Sequence, residues 1–450
     1  MKIVLSRIIL LITTVAALVL YFNTPENYSY EICYGCFLLF CVDAFLVYRH
    51  SCKHTLVNFE FFFSIAFAFV NYVYPIVFYQ VDPYFSLFGL SFPENYINRG
   101  AVMATIAYSC LSLGLLKRPN CDCNVFSSNY GIGHNKNFIL YSSVLLLIMD
   151  FALAGAVAAG ADASQWGLGG EIRGIVDVFV YYTIFRQLYI NRGNSIIRVV
   201  KSNKLFWLLV AGYVILATLT GNRGILIRVG SLILLLYTIL YHQIRKVFLA
   251  IIMIAGIGVM FVIGAIRDSG SVTSAVDSST SVLSIGRDLT INNRSLYVLM
   301  DYADKHGNSY GQNFLSHLLS PIPFAQSTLL KITGWKVRDI SSGNLVTDDY
   351  FENNATSVDA YGLGTNLVGD VYLAFGLWGV IFLFYILGTI ISRYRYHAQL
   401  GSPISLLVYS LLFITAIIWT REAYFKPLQL VLWCLALYYF IDKKQKVQKG

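Results

Sequence analysis

Apolar residues run through this chain in long unbroken blocks rather than alternating with polar ones. A helix needs about 20 apolar residues to cross the hydrocarbon layer of a bilayer, and inside it every backbone polar group must be paired within the segment. The blocks therefore predict twelve spanning helices, at 5–22, 31–49, 58–79, 101–116, 138–160, 174–191, 204–220, 224–243, 246–266, 366–391, 402–420 and 425–441. The block at 31–49 is compromised by Glu31 and Asp43, and the one at 101–116 is short. One stretch breaks the pattern, because Arg267 to Thr365 is mostly polar. The expected fold is an all-α polytopic membrane helix bundle, with helices 1–9 in residues 1–266, a large outer loop at 267–365, and helices 10–12 with a basic tail in 366–450. A membrane protein that maintains so long a loop is expected to use it for chemistry or recognition.

The first block follows Lys2 and Arg7 in the manner of a secretory leader. Tyr21-Phe22-Asn23-Thr24 offers no small-residue cleavage site, so it reads as a retained helix.

Composition agrees with a bilayer environment. Hydrophobic residues make up 57% and charged residues 13%, whereas an ordinary soluble domain carries roughly a quarter charged residues. Charge also sets orientation, since cytoplasmic loops accumulate Lys and Arg. With twelve spans both termini share a side, and that side holds Lys2, Arg7, Arg49, Lys53, Lys117, Arg118, Lys136, Arg192, Arg198, Lys201, Lys204, Arg245, Lys246, Arg393, Arg395 and the tail lysines. The short loops opposite hold only Arg99, Arg173, Arg223, Arg421 and Lys426 among basic residues. Both termini are therefore expected in the cytoplasm, with the long loop outside. The net charge of +9 follows from this bias and from attraction to anionic membrane lipid, and calls for no nucleic-acid partner.

Chemical motifs are sparse. The eight cysteines lie in apolar spans or expected cytoplasmic loops, and Cys121-Asp122-Cys123 with His134 lacks the second half of a zinc motif. No metal or other cofactor is expected. No phosphate-binding GxxxxGK[ST], no GxGxxG and no HExxH occurs, which weakens ATP-driven transport and zinc proteolysis.

Arginines on the expected outer side stand out, because charge at membrane depth is unfavourable unless an anion answers it. Arg173 closes Gly169-Gly170-Glu171-Ile172-Arg173-Gly174, Arg223 fills the tight turn Thr220-Gly221-Asn222-Arg223-Gly224, and Arg228 lies further down the same helix. Arg228 has two readings: a salt bridge to Asp177, Asp150 or Asp370, or a diphosphate ligand shared with Arg223, which a guanidinium grips bidentately.

Within the long loop, residues 268–285 are rich in Ser, Thr, Gly and Asp. Arg287-Asp288 and Asn292-Asn293-Arg294 then introduce Ser295 to Met300, read as a short amphipathic helix. A second apolar stretch, Phe314 to Leu319, stops at Pro321 and Pro323 and contains His317, either a packed histidine or an acid/base. Both are expected to lie on the outer leaflet like a lid.

The segment from Tyr361 to Val380 leads from the loop into the tenth helix, with Gly at 362, 364, 369, 376 and 379 and Asp370 near the outer end. Close helix contact explains most such glycines. Together with the Thr-Gly-Asn-Arg-Gly turn and the Gly311 to Pro323 stretch, this segment resembles the oligosaccharide repeat unit polymerases, the Wzy-type O-antigen polymerase group of bacteria. The matching positions are Arg223, Asp370 and Phe375-Gly376-Leu377-Trp378-Gly379; the family's acid is more often Glu, so Asp370 departs by one methylene.

The resemblance implies a metal-independent glycosyltransferase with a GT-C-like membrane fold. It would move a growing glycan from undecaprenyl diphosphate onto the next lipid-linked repeat unit at the periplasmic face, with a chain-length regulator and a flippase as partners. In that chemistry Arg223, Arg173, Arg228 and Arg287 bind the diphosphate, and Asp370, His317 and Asp288 are candidates to take the acceptor's proton. A flippase or other transporter, an O-antigen ligase and a non-catalytic scaffold stay open as alternatives.

Overall fold

In the computed structural model, the described residues are 2–51, 55–81, 92–118, 138–158, 166–192, 203–219, 223–242, 244–254, 256, 258, 282–353 and 364–442. The Cys121, Cys123 and His134 group, the segment 268–281 and Tyr361-Gly362-Leu363 lie outside them. All regular structure among the described residues is helical.

The helices are α1 (Lys2–Phe22), α2 (Tyr30–Ser51), α3 (Phe59–Val73, prolonged through a π-helical turn Tyr74–Phe78 to Val81), α4 (Asn95–Leu115), α5 (Phe138–Ala158), α6 (Trp166–Ile190), α7 (Lys204–Leu219) and α8 (Arg223–Leu240). Residues 246–254 are also helical. The long loop forms α9 (Val282–His306), α10 (Leu315–Leu319), α11 (Ala325–Thr333) and α12 (Ser342–Asn353). The chain closes with α13 (Leu367–Gln399), α14 (Pro403–Trp419) and α15 (Leu428–Leu437).

Four of these, Ile3–Phe22, Tyr30–Ser51, Phe59–Val81 and Leu367–Gln399, are long and apolar enough to cross a membrane. The surface pattern is the inverse of a water-soluble bundle. On α1, Val4, Ile8, Leu11, Val15 and Val19 face outward at helical spacing, while Thr13 and Thr14 are buried. On α4 the polar Asn98, Thr105, Ser109 and Ser112 are all inside.

That short block becomes the central helix. Nearly every residue of α4 is buried, packed by α1, α2, α9 and α13. Its crossing with α13 is tight because Gly114 and Gly388 meet there, where a Cβ on either would strike the other helix's backbone. Asp43, the misfit of the second block, is buried with partners, accepting from Thr13 Oγ1 at 2.8 Å and from the Ser109 hydroxyl. A second group, α5 to α8 with α15, packs through α14, which touches α3, α8, α13 and α15.

The long loop departs from the expected lid. In place of a short surface helix, α9 runs 25 residues and wedges between α3, α4 and α13, with Asn292 to Met300 buried. Both of its faces find partners: Tyr297 lies over Gly100, and Leu296 and Leu299 lie against Gly369. Its polar start is absorbed by a hydrogen-bonded seam, in which Asn366 caps α13 and donates to Asn71 Oδ1 at 3.1 Å and to the Asn292 carbonyl at 3.2 Å.

Helix α13 is interrupted at Gly376, whose φ of 63° and ψ of −153° belong to a region essentially reserved for glycine. Asn308 packs against it on the side where a Cβ would stand.

Candidate functional site

The group α5 to α8 carries a cluster of charged and phenolic side chains between its helices. On α6, Arg173, Asp177 and Tyr181 recur every fourth residue and so line one face. Asp177 accepts a short hydrogen bond from the Tyr213 hydroxyl of α7. Arg228 of α8 reaches it at 3.9 Å and also bonds the Tyr181 hydroxyl, with Glu422 from the α14–α15 turn within electrostatic range. Arg173 lies within range of both Asp177 and Asp150, the latter buried on α5.

The structure thus brings together two of the four predicted arginines around a carboxylate pair, and of the three acids offered for Arg228 it selects Asp177. The guanidinium and the Asp177 carboxylate each keep about a fifth of their side-chain surface exposed (22% and 19%). Arg223 opens α8, five residues before Arg228. Arg287 and Asp288 belong to the first turns of α9. The side chains of these three lie outside the described residues.

Asp370 has a different role from an exposed base. It is fully buried in the first turn of α13. Asn313 Nδ2 donates to its Oδ1 at 2.7 Å and to its carbonyl at 2.9 Å, and the Tyr424 backbone N–H donates to Oδ2 at 2.8 Å. Ser342 of α12 adds a further bond. The carboxylate therefore ties the loop and the α14–α15 turn to α13.

His317, on α10, stands near Lys426 of that same turn. Burial, aided by the lysine's charge, pushes its pKa down to about 3, so the imidazole is neutral at physiological pH. Its helix is anchored next to α15, where Trp433 Nε1 donates to the Pro321 carbonyl at 2.8 Å.

Among the described residues no three of His, Cys, Asp and Glu gather as a metal site. A groove of about 310 Å³ between α2 and α3 is walled by Phe37, Phe40, Phe45 and Phe61, and its one carboxylate, Glu60, is paired with Arg395. It lies apart from the arginine cluster.

Sequence reasoning missed Asn313 and Tyr424, which act through Asp370, and gave Asp177 and Asp150 only as possible partners. The fourfold spacing of Arg173, Asp177 and Tyr181 was the available signal.

No curated protein and no solved structure matches the chain. The sequence profile of the O-antigen polysaccharide polymerase Wzy family matches residues 195–444, a stretch that runs from α7 through the loop helices to the end of α15 and includes Arg223, Arg228, His317 and Asp370. With more than half of its length so matched, the chain belongs to the O-antigen polysaccharide polymerase Wzy family.

Proposed function

We propose that this protein polymerises lipid-linked oligosaccharide repeat units at the outer face of the bacterial inner membrane, with twelve spans and both termini in the cytoplasm. The growing glycan leaves undecaprenyl diphosphate and is joined to the next lipid-linked unit, without a metal ion.

The observation that carries this reading is the Arg173–Asp177–Arg228 cluster between α6 and α8 of a member of this polymerase family. As the bond between sugar and diphosphate breaks, negative charge grows on the leaving group. Fixed cations aimed at that charge lower the barrier, each worth roughly 10²–10³ in rate. Arg228 and Arg173 take this role, and Arg223 and Arg287 are the further arginines we assign to the diphosphate. Asp177 and Tyr213 orient Arg228, so that less freedom is lost when the diphosphate arrives.

The acceptor hydroxyl needs a proton acceptor within hydrogen-bond reach. Asp370 has both oxygens engaged by protein donors, and His317 is a weak base at a pKa of about 3. We assign the proton to Asp288 and give Asp370 the task of positioning the loop.

The test is the surface glycan of a deletion strain complemented with wild type or Arg228→Ala, with membrane levels of each protein checked. A ladder restored by wild type and missing from the variant supports the reading. Lipid-linked repeats trapped on the cytoplasmic face of the deletion strain would make the protein a flippase instead.

A further inference from the structure

A second polar constellation joins α1, α4, α9 and α13, and the proposed diphosphate site does not use it. Arg99, in the first turn of α4, donates through Nη1 to Asp304 Oδ2 at 2.6 Å and through Nη2 to the hydroxyls of Tyr21 (3.0 Å) and Tyr372 (3.3 Å). Asp304, near the end of α9, also accepts from Tyr96 at 3.0 Å and from Tyr372 at 3.0 Å. The two hydroxyls of Tyr21 and Tyr372 are 3.1 Å apart. The guanidinium stacks over the Tyr96 and Tyr21 rings, at 5.0 and 5.5 Å.

Three features separate this cluster from a sealed strut between helices. It is open, since the side chains of Arg99 and Asp304 are 20% and 32% exposed. It has capacity to spare: the bonds shown use three of the five N–H donors on Arg99 and leave lone pairs on Asp304 Oδ1. Exposed aromatic rings lie close along the chain, Phe22 next to Tyr21 and Tyr310 in the hairpin that bonds α13 through Ser309 N–H to the Leu373 carbonyl at 2.8 Å.

Its charge balance points to a ligand class. Asp304 balances Arg99, so the cluster presents no net cation to a diphosphate. Hydroxyls, a carboxylate, a guanidinium and aromatic faces together suit a neutral polyhydroxylated ring, which presents paired hydroxyls on its rim and apolar C–H faces.

Its position fits the reaction. Tyr372 and Asp370 are two residues apart on α13 and so project about 200° apart around the axis. The two side chains therefore face opposite sides of the same helical turn, so the cluster around Tyr372 stands away from the buried Asp370 and its loop contacts. A polymerase holds glycan well beyond the bond being made, and this flank is where such a segment would run.

We propose that Arg99, Asp304, Tyr96, Tyr21 and Tyr372 form a saccharide subsite that holds a neutral sugar of the substrate glycan away from the transferred bond; this rests on the polymerase reading above. The subsite acts by binding and positioning, with no bond made or broken in it.

The experiment uses the full-length protein in lipid nanodiscs, with Asp304→Asn and the milder Tyr372→Phe, which removes one hydroxyl and keeps the ring. Two quantities are read: binding of the lipid-free oligosaccharide released from the host's own lipid-linked repeat units, and the KM and kcat for polymerising the lipid-linked unit. Loss of one sugar hydrogen bond should weaken oligosaccharide binding and raise KM about tenfold, with kcat nearly unchanged. A structural role alone would lower the melting temperature and leave KM where it was. Wild-type binding and KM in both variants, or no oligosaccharide binding by the wild type, overturns the subsite. Oligosaccharide binding that depends on Asp304 in a wild-type protein that makes no polymer would leave the subsite standing and remove the polymerase reading instead.

Discussion

Asn313 donates the same side-chain amide to both the carbonyl and the carboxylate of Asp370, so one residue of the long loop reads the first turn of α13 twice. Asp370→Ala leaves the Tyr424 N–H and one of the two Asn313 amide hydrogens unpaired in a buried site, at about 1–3 kcal/mol for each donor so stranded, while Asn313 keeps its bond to the backbone carbonyl. We expect a clearly lower melting temperature and reduced membrane level, with Asp370→Asn intermediate because it keeps one acceptor oxygen. A thermal melt of the purified variants checks this. Wild-type melting combined with lost polymerisation would return Asp370 to proton transfer.

Replacing Arg228 separates charge from geometry. Lys supplies a point charge without the planar fork, so Arg228→Lys should lose polymerisation nearly as fully as Arg228→Ala, by about 10²-fold or more in initial rate. Removing one partner of a partly buried ion pair also destabilises, whereas apolar replacement of both is often tolerated. Arg228→Met combined with Asp177→Leu should therefore recover membrane level without recovering activity. Recovered activity in the double variant would reduce the pair to a structural bridge.

The neutral imidazole of His317 gives stability a sign with pH. The folded state holds it unprotonated down to about pH 3, while the unfolded chain takes up a proton near 6.5. Between those values the unfolded state binds more protons, so stability falls as pH drops through that window. His317→Gln should flatten this part of the stability profile and leave the pH dependence of the rate between 6 and 8 unchanged, which parallel melts and rate measurements would show.

At Gly376 any side chain meets a backbone region that L residues avoid. Gly376→Ala should cost about 1–3 kcal/mol, read as a lowered melting temperature. A neutral result would mean that α13 straightens through this point.

Long apolar blocks were legible because crossing a bilayer is a matter of length and composition, and α1, α2, α3 and α13 appear where those blocks lie. The length of α9 was not legible: its apolar core, Ser295 to Met300, is short, and the polar Asn292 to Arg294 before it resemble loop until Asn366 and Tyr74 are placed beside them. Arg228 was visibly in need of an acid, and only the fold could choose Asp177 over Asp150 and Asp370. The Arg99–Asp304 pair joins residues 205 apart in sequence, beyond the reach of any local pattern. Arg99 was nonetheless flagged by the same charge asymmetry that singled out Arg173 and Arg223.

The burial of α4 also bears on how the protein is made. Its face at Leu111 and Gly114 is covered by α13, a segment synthesised more than 250 residues later. Until that segment emerges from the ribosome, α4 has α1, α2 and α3 for company and an unfinished flank open to lipid or to the insertion machinery. Assembly is therefore not a simple succession of finished helices, and a nascent chain halted within the long loop would be a natural client for membrane quality control.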